Sequence, residues 1–122
     1  MKKSLTSIGK AHITIHSFAV AHAITAAIII SHGNDPGTIL TILTIAMVVV
    51  LTRLNDYPLD VTAALALISC FAGFFLGTAG ADLLSNLLSE SKALAQILTT
   101  ILVTEVLGWL TFVIVAKSAK QN

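Results

Sequence analysis

Four long runs of apolar residues limit what this chain can fold into more than any other feature of its sequence. A helix needs about 20 apolar residues to cross the hydrocarbon core of a bilayer, and three of the four runs reach that length. Lipid offers no partners to unpaired backbone groups, so runs this long cross it as helices. The sequence therefore predicts an all-α polytopic membrane protein, with residues 1–122 forming a single domain of four transmembrane helices over approximately 11–31, 38–54, 59–81 and 94–116.

The composition agrees with a membrane protein and excludes several other classes. Hydrophobic residues make up 56% of the chain and charged residues 11%, too few to cover the core of a small soluble domain. The formal net charge of +1 gives no field for binding nucleic acid, so the expected partner is the lipid bilayer. The one cysteine, Cys70, excludes an internal disulfide and a cysteine-cluster metal site.

Basic residues predict the orientation of the spans. Lys92 alone falls on one side of the predicted topology, and the other basic residues fall on the opposite side: Lys2, Lys3, Lys10, Arg53, Lys117 and Lys120. Because the side of an inner membrane richer in Lys and Arg is cytoplasmic, both termini are expected in the cytoplasm. The segment 82–93 leaves two alternatives, a short helix lying in the membrane interface or an extension of the third span.

Glu105 is the one acidic residue deep inside a predicted span. A charged side chain at mid-bilayer costs about 2.5–3.5 kcal/mol on insertion scales, so it needs a partner, water or a proton. His22 lies eleven residues from Ala11, the start of the first span. Glu105 lies eleven residues from Ala116, the end of the fourth span, which predicts the same depth for both side chains. We therefore expect His22 and Glu105 to share a proton; the alternative is a protonated Glu105 that bonds to a neighbouring helix.

His12 and His16 are spaced i, i+4 on a stripe of small residues in the first span, so both imidazoles face one side. Three interpretations stay open: residues of a helix–helix seam, contacts for protons or substrate, or half of a metal or haem site. The span contains no Cys, Asp or Glu as a third ligand, so a metal or a haem would need a second subunit. No cofactor is expected, and a metal or haem on these histidines is the alternative.

Threonines recur along one face of the second and fourth spans, and Thr104 directly precedes Glu105. Their hydroxyls either bond within and between helices or line a narrow polar pathway. For the pathway, the residues that the sequence assigns to protons or substrate are Glu105, His22, His16 and Thr104.

Gly73, Gly77 and Gly80 form a ladder of small residues on the third span, which predicts close helix packing. The alternative is a surface that a ligand or a sliding partner approaches. At the inner ends of the spans, Arg53 and Asp56 predict a lipid contact or a local ion pair, and a cytoplasmic gate is the alternative.

No stretch carries a phosphate-binding glycine loop or a nucleophile elbow, so the chain is not expected to be an enzyme. The leading hypothesis is a small inner-membrane transporter or channel subunit, proton-coupled through the intramembrane Glu/His pair. Four thin helices enclose little room, so a homo-oligomer or a membrane partner subunit is expected. The alternative is a non-transporting membrane anchor or assembly subunit of a larger complex, haem-bearing in one version.

Overall fold

The computed structural model describes residues 2–88 and 91–118 of the chain. Within these ranges there is no β-strand, and four α-helices follow one another: α1 (Lys2–Ser31), α2 (Gly37–Arg53), α3 (Leu59–Leu88) and α4 (Lys92–Ser118). The predicted all-α fold is confirmed. The side chains of Lys2 and Lys3, and the whole of Lys120, lie outside the described part.

Three of the helices are long and apolar enough to cross a membrane, over Ser7–Ser31 in α1, Asp60–Leu87 in α3 and Lys92–Ser118 in α4. The apolar helix α2 has 17 residues and spans about 25 Å of a hydrocarbon core about 30 Å thick. Residues 82–88 continue α3 without a break. Of the two alternatives for the segment 82–93, the structure therefore shows the extension of the third helix for residues 82–88, while residues 89–90 lie outside the described part and α4 begins at Lys92.

A Schellman motif ends α1 and reverses the chain. The Asn34 N–H donates to the Ile29 carbonyl at 3.1 Å, and the Gly33 N–H donates to the Ile30 carbonyl at 2.9 Å. Gly33 has φ +73°, the left-handed conformation that this motif requires and that glycine adopts without steric cost. The bonds satisfy the last carbonyls of α1 and let α2 return along it.

The helices pack as an antiparallel bundle. Both α1 and α3 contact α2 and α4, and α2 also contacts α4. The Ser7 hydroxyl donates to Asn55 Oδ1 at 3.3 Å, so the start of α1 and the end of α2 lie together. We call this end, which carries Lys10, Arg53 and Lys117, the basic end of the bundle. The opposite end, where α4 begins, is the Lys92 end.

The apolar core is concentrated toward the basic end. Its central cluster combines side chains of α1, α2 and α4: Ala11, Ile15, Met47, Leu51, Leu107 and Phe112. Gly108 brings α4 very close to α1, since a Cβ added there would lie 2.9 Å from Ile15 side-chain atoms. The central apolar cluster therefore lies on one side of the middle of the bundle, while α3 and α4 stay in close contact near the Lys92 end, where Gly80 meets Thr99.

Candidate functional site

An ionisable cluster joins α1 to α4 halfway along both helices. His16 Nδ1 forms a hydrogen bond with Glu105 Oε1. On the other side of the same ring, His16 Nε2 lies 3.2 Å from His12 Nε2. The His12 ring packs edge-on against Trp109, with 5.5 Å between ring centroids. We call His12, His16 and Glu105 the His–Glu cluster.

The cluster lies at mid-height on the outer surface of the bundle. Glu105 is the fourteenth of 27 residues in α4, and His16 is the fifteenth of 30 in α1. Their side chains are 23% and 48% exposed, respectively. A groove of about 320 Å³ runs beside them between α1 and α4, and its other lining residues are apolar: Ala19, Val20, Ala23, Ile24 and Ile101. In a bilayer this pair therefore faces lipid or another protein chain.

The geometry of the cluster lets one proton be shared along it. An ionised carboxylate can only accept, so His16 Nδ1 carries the hydrogen of its bond with Glu105. When His16 is neutral, its Nε2 accepts a hydrogen from His12; when His16 is protonated, its Nε2 donates to His12 instead. Both states keep both contacts, so a proton can enter at His12 and reach Glu105.

Glu105 has a histidine partner, but this partner is His16 and not the predicted His22. Both ring nitrogens of His22 are engaged elsewhere: Nδ1 lies 2.7 Å from the Phe18 carbonyl oxygen, and Nε2 lies 3.2 Å from Thr44 Oγ1. Six residues at about 100° each turn His22 about 120° away from His16 around α1. His22 therefore faces α2, where it is buried with 2% of its surface exposed.

A cavity of about 330 Å³ opens among α2, α3 and α4 toward the Lys92 end. Charged residues lie at its mouth: Asp35, Asp82 and Lys92. Thr44, Cys70, Gly73 and Thr100 lie at its deep end, about 12–18 Å from the mouth at the 1.5 Å rise of a helix. Sequence reasoning missed this cavity, because its walls carry the same threonines and glycines that elsewhere pack between helices.

His22 and Thr44 form a polar contact in which the placement of hydrogens depends on protonation. The Phe18 carbonyl can only accept, so His22 Nδ1 carries a hydrogen. When His22 is neutral, its Nε2 accepts the hydroxyl hydrogen of Thr44. When His22 is protonated, Nε2 donates and the Thr44 hydroxyl donates to the Leu40 carbonyl, 3.0 Å away. A proton on His22 therefore reorients a hydroxyl at the deep end of the cavity.

Thr44→Val is expected to lower the free energy of unfolding by about 1–3 kcal/mol, because it leaves the Nε2 atom of buried His22 without a hydrogen-bond partner. The measurement is denaturant unfolding in detergent, followed by circular dichroism. Thr41→Val is the matched control, since the Thr41 hydroxyl is exposed and donates to its own helix. The control is expected to change stability by less than about 0.5 kcal/mol. Equal stabilities of the two variants would contradict the Thr44–His22 contact.

The glycines of the predicted ladder lie in two different environments. A Cβ at Gly80 would lie 2.7 Å from Thr99 Cγ2. A Cβ at Gly73 would lie 3.3 Å from Leu107 Cδ1, so these two glycines face α4 at close range. A Cβ at Gly77 would meet no atom of the described chain within 4 Å, because Gly77 faces the cavity. The ladder thus packs against α4 at two positions and leaves open space at the third.

Asp56 has a structural role at the end of α2. It adopts φ 56°, and the Tyr57 N–H donates to the Thr52 carbonyl at 3.1 Å, which makes a second Schellman motif. Arg53 lies exposed in the last turn of α2, where its charge is favourable for the helix dipole. A gate at these residues stays a prediction.

Two other predictions concern the cluster: a place for Thr104 in the polar pathway, and a metal or haem site on the histidines. Thr104 is buried and donates its hydroxyl hydrogen to the Thr100 carbonyl at 2.8 Å, within α4. Within residues 2–88 and 91–118, no group of three or more His, Cys, Asp and Glu could hold a metal ion. His12 and His16 offer two nitrogens, so a metal or haem site there needs ligands from another chain and stays a prediction.

Comparison with known proteins adds no assignment to these features. No protein-family model, curated protein or solved structure matches the chain. The functional conclusion therefore depends on the chemistry of the His–Glu cluster and of the cavity.

Proposed function

We propose that the chain is a small inner-membrane transporter or channel subunit, and that the His–Glu cluster carries the proton that is coupled to its activity. The observation behind this proposal is the hydrogen bond between His16 and Glu105 in the middle of α1 and α4. Ionisable groups at this depth are costly, and those that membrane proteins keep there commonly serve proton or ion pathways. The lysine distribution supports cytoplasmic termini and an inner-membrane location.

The outer face of the cluster supports an oligomer. In a single copy, 48% of the His16 side chain would face lipid at mid-membrane depth. The groove beside it contains Ala19 and Ala23, and small residues at this spacing let another helix approach closely. A second copy of the chain on this groove would cover the cluster and bring two such clusters together.

The same exposure favours one rival function, that of a non-transporting subunit whose cluster is covered by a different membrane protein. Native mass spectrometry of gently purified protein separates the two: a homo-oligomer supports the transporter, and a stoichiometric foreign subunit supports the rival. A haem in that complex would be seen as visible absorbance that is lost in His16→Ala.

Glu105→Gln is expected to reduce protein-dependent proton flux by about 100-fold, because the amide cannot take up and release a proton. The measurement uses vesicles that contain the purified protein, a pH-sensitive dye inside and a potassium diffusion potential as the driving force. Asp60→Asn makes the same chemical change on the exposed first turn of α3 and is expected to keep the wild-type flux. Wild-type flux in Glu105→Gln, or no flux above protein-free vesicles in the wild type, would refute the proposal.

A further inference from the structure

The cavity among α2, α3 and α4 has the size and the mixed walls of a small-molecule site. Its volume of about 330 Å³ lies within the range of ligand pockets. Leu40 and Phe74 provide apolar surface, and the α3 side is open at Gly77. None of the His–Glu cluster residues lines it, so what the cavity holds is independent of the proton pathway proposed above.

The hydroxyl groups of the cavity wall act as hydrogen-bond acceptors. Four threonines of the wall each donate their hydroxyl hydrogen, at 2.7–3.0 Å, to the carbonyl four residues earlier in the same helix: Thr41, Thr44, Thr78 and Thr100. A hydroxyl has one hydrogen and two lone pairs, so a molecule in the cavity meets these oxygens as acceptors. The result is the same when Thr44 turns its hydrogen toward His22. The wall therefore favours a ligand that carries hydrogen-bond donors.

The mouth of the cavity carries a net negative charge. Asp35 and Asp82 contribute two carboxylates, and Lys92 contributes one ammonium group. Across the described residues, the one ion pair within 4.0 Å is that of His16 and Glu105, so the mouth carboxylates are not neutralised by a bonded cation there. The low-dielectric walls of a cavity focus the electric field of these negative charges, and this field attracts cations.

We propose that this cavity binds a small organic cation that carries N–H donors beside an apolar body, of which a primary ammonium compound is the simplest example. The ammonium group bonds to the mouth carboxylates and to the hydroxyl oxygen of Thr78, which lies one helical turn from Asp82, and the apolar body packs against Leu40 and Phe74. An anion would meet hydrogen-bond acceptors and carboxylates in this cavity, so we expect it not to bind.

Three probe compounds of similar size test whether the site requires a positive charge and N–H donors on its ligand. Their binding to the purified protein in detergent is measured by isothermal titration calorimetry. Phenethylammonium is expected to bind saturably. Benzyltrimethylammonium has the ring and the charge but no N–H, and we expect its Kd to be about 10-fold higher or more. Phenylacetate is expected not to bind. Absence of phenethylammonium binding, or equal binding of either of the other probes, would overturn the proposal.

Substitutions in the cavity wall test whether phenethylammonium binds in this cavity. Gly77→Leu places its side chain in the open space of the cavity and is expected to raise the Kd for phenethylammonium about 10-fold or more. Ala79→Leu introduces the same side chain at an exposed position of α3 outside the cavity and is expected to leave the Kd unchanged. Asp82→Asn alters an exposed residue, so it tests the site even if Gly77→Leu fails to fold; we expect a Kd about 3-fold higher or more.

The outcome for these variants decides whether the cavity is the site. Wild-type affinity in a folded Gly77→Leu or in Asp82→Asn, or an equal loss in Ala79→Leu, would show that phenethylammonium binds elsewhere. Binding is also measured in Glu105→Gln, where wild-type affinity is expected because Glu105 does not line the cavity. In the wild-type protein, intact binding without proton flux would refute the proton pathway alone, and intact flux without binding would refute the ligand site alone.

Discussion

Gly108→Leu is expected to prevent the four helices from packing as they do in the structure. A Cβ at this position would lie 2.9 Å from Cγ1 and Cγ2 of Ile15 and 3.3 Å from Met47 Sδ. Ile15 and Met47 are completely buried, so neither side chain can move aside into free space. Overpacking by a single methyl group already costs about 1–3 kcal/mol, and leucine adds three further carbons. We expect aggregation on size-exclusion chromatography, or a melting temperature far below that of the wild type.

Gly77→Leu is the matched control for this packing experiment. It makes the same change in a helix, but a Cβ at Gly77 meets no atom within 4 Å in the described part of the chain. Its melting temperature is expected to be close to that of the wild type. If Gly108→Leu melts like Gly77→Leu, then α4 does not approach α1 as closely as the structure places it.

His16→Leu is expected to destabilise the bundle by about 2–3 kcal/mol near neutral pH, because it leaves the Glu105 carboxylate in apolar surroundings without its partner. Unfolding in denaturant near neutral pH, followed by circular dichroism, measures the loss.

The double variant His16→Leu/Glu105→Leu completes this test. Since it removes both ionisable groups, it is expected to recover most of the stability that His16→Leu loses. His32→Leu is the matched control: His32 lies in the turn after α1 and contacts Ile28 and Ser31 of its own chain segment, so a change below about 0.5 kcal/mol is expected. Additive losses in the double variant would mean that the two side chains do not interact.

Hydropathy predicted the helices well because it reports which residues can lie in lipid. The second helix was predicted over 38–54 and runs over Gly37–Arg53, since asparagine, aspartate and proline lie beyond both of its ends. The first was predicted to begin at residue 11, but α1 begins at Lys2. A helix can continue past its apolar segment into polar sequence, so hydropathy does not mark where it starts.

The sequence identified Glu105 as an unusual residue but not its partner. The predicted pairing of Glu105 with His22 assumes that Ala11 and Ala116 lie at the same height in the membrane. The relative height of two helices is instead set by non-local packing, here of Ile15 against Gly108. The angular position of His16 and His22 around α1 could be read from the sequence, whereas the helix that each one faces could not.

The cavity was beyond sequence reasoning for a related reason. Gly73, Gly77 and Gly80 share one face of α3 and look equivalent in sequence. They differ because Leu107 and Thr99 of α4 reach two of them and leave Gly77 uncovered. An empty space is determined by where neighbouring helices fail to touch, and that depends on the whole bundle.

The open space at Gly77 has closely packed borders on both sides. One turn away in each direction, α3 packs directly against α4, at Gly73 with Leu107 and at Gly80 with Thr99. Close-packed contacts of this kind yield little, so α3 and α4 cannot move apart at Gly77 without opening both. We therefore expect this recess to select its occupant by size, because it cannot widen to admit a larger one.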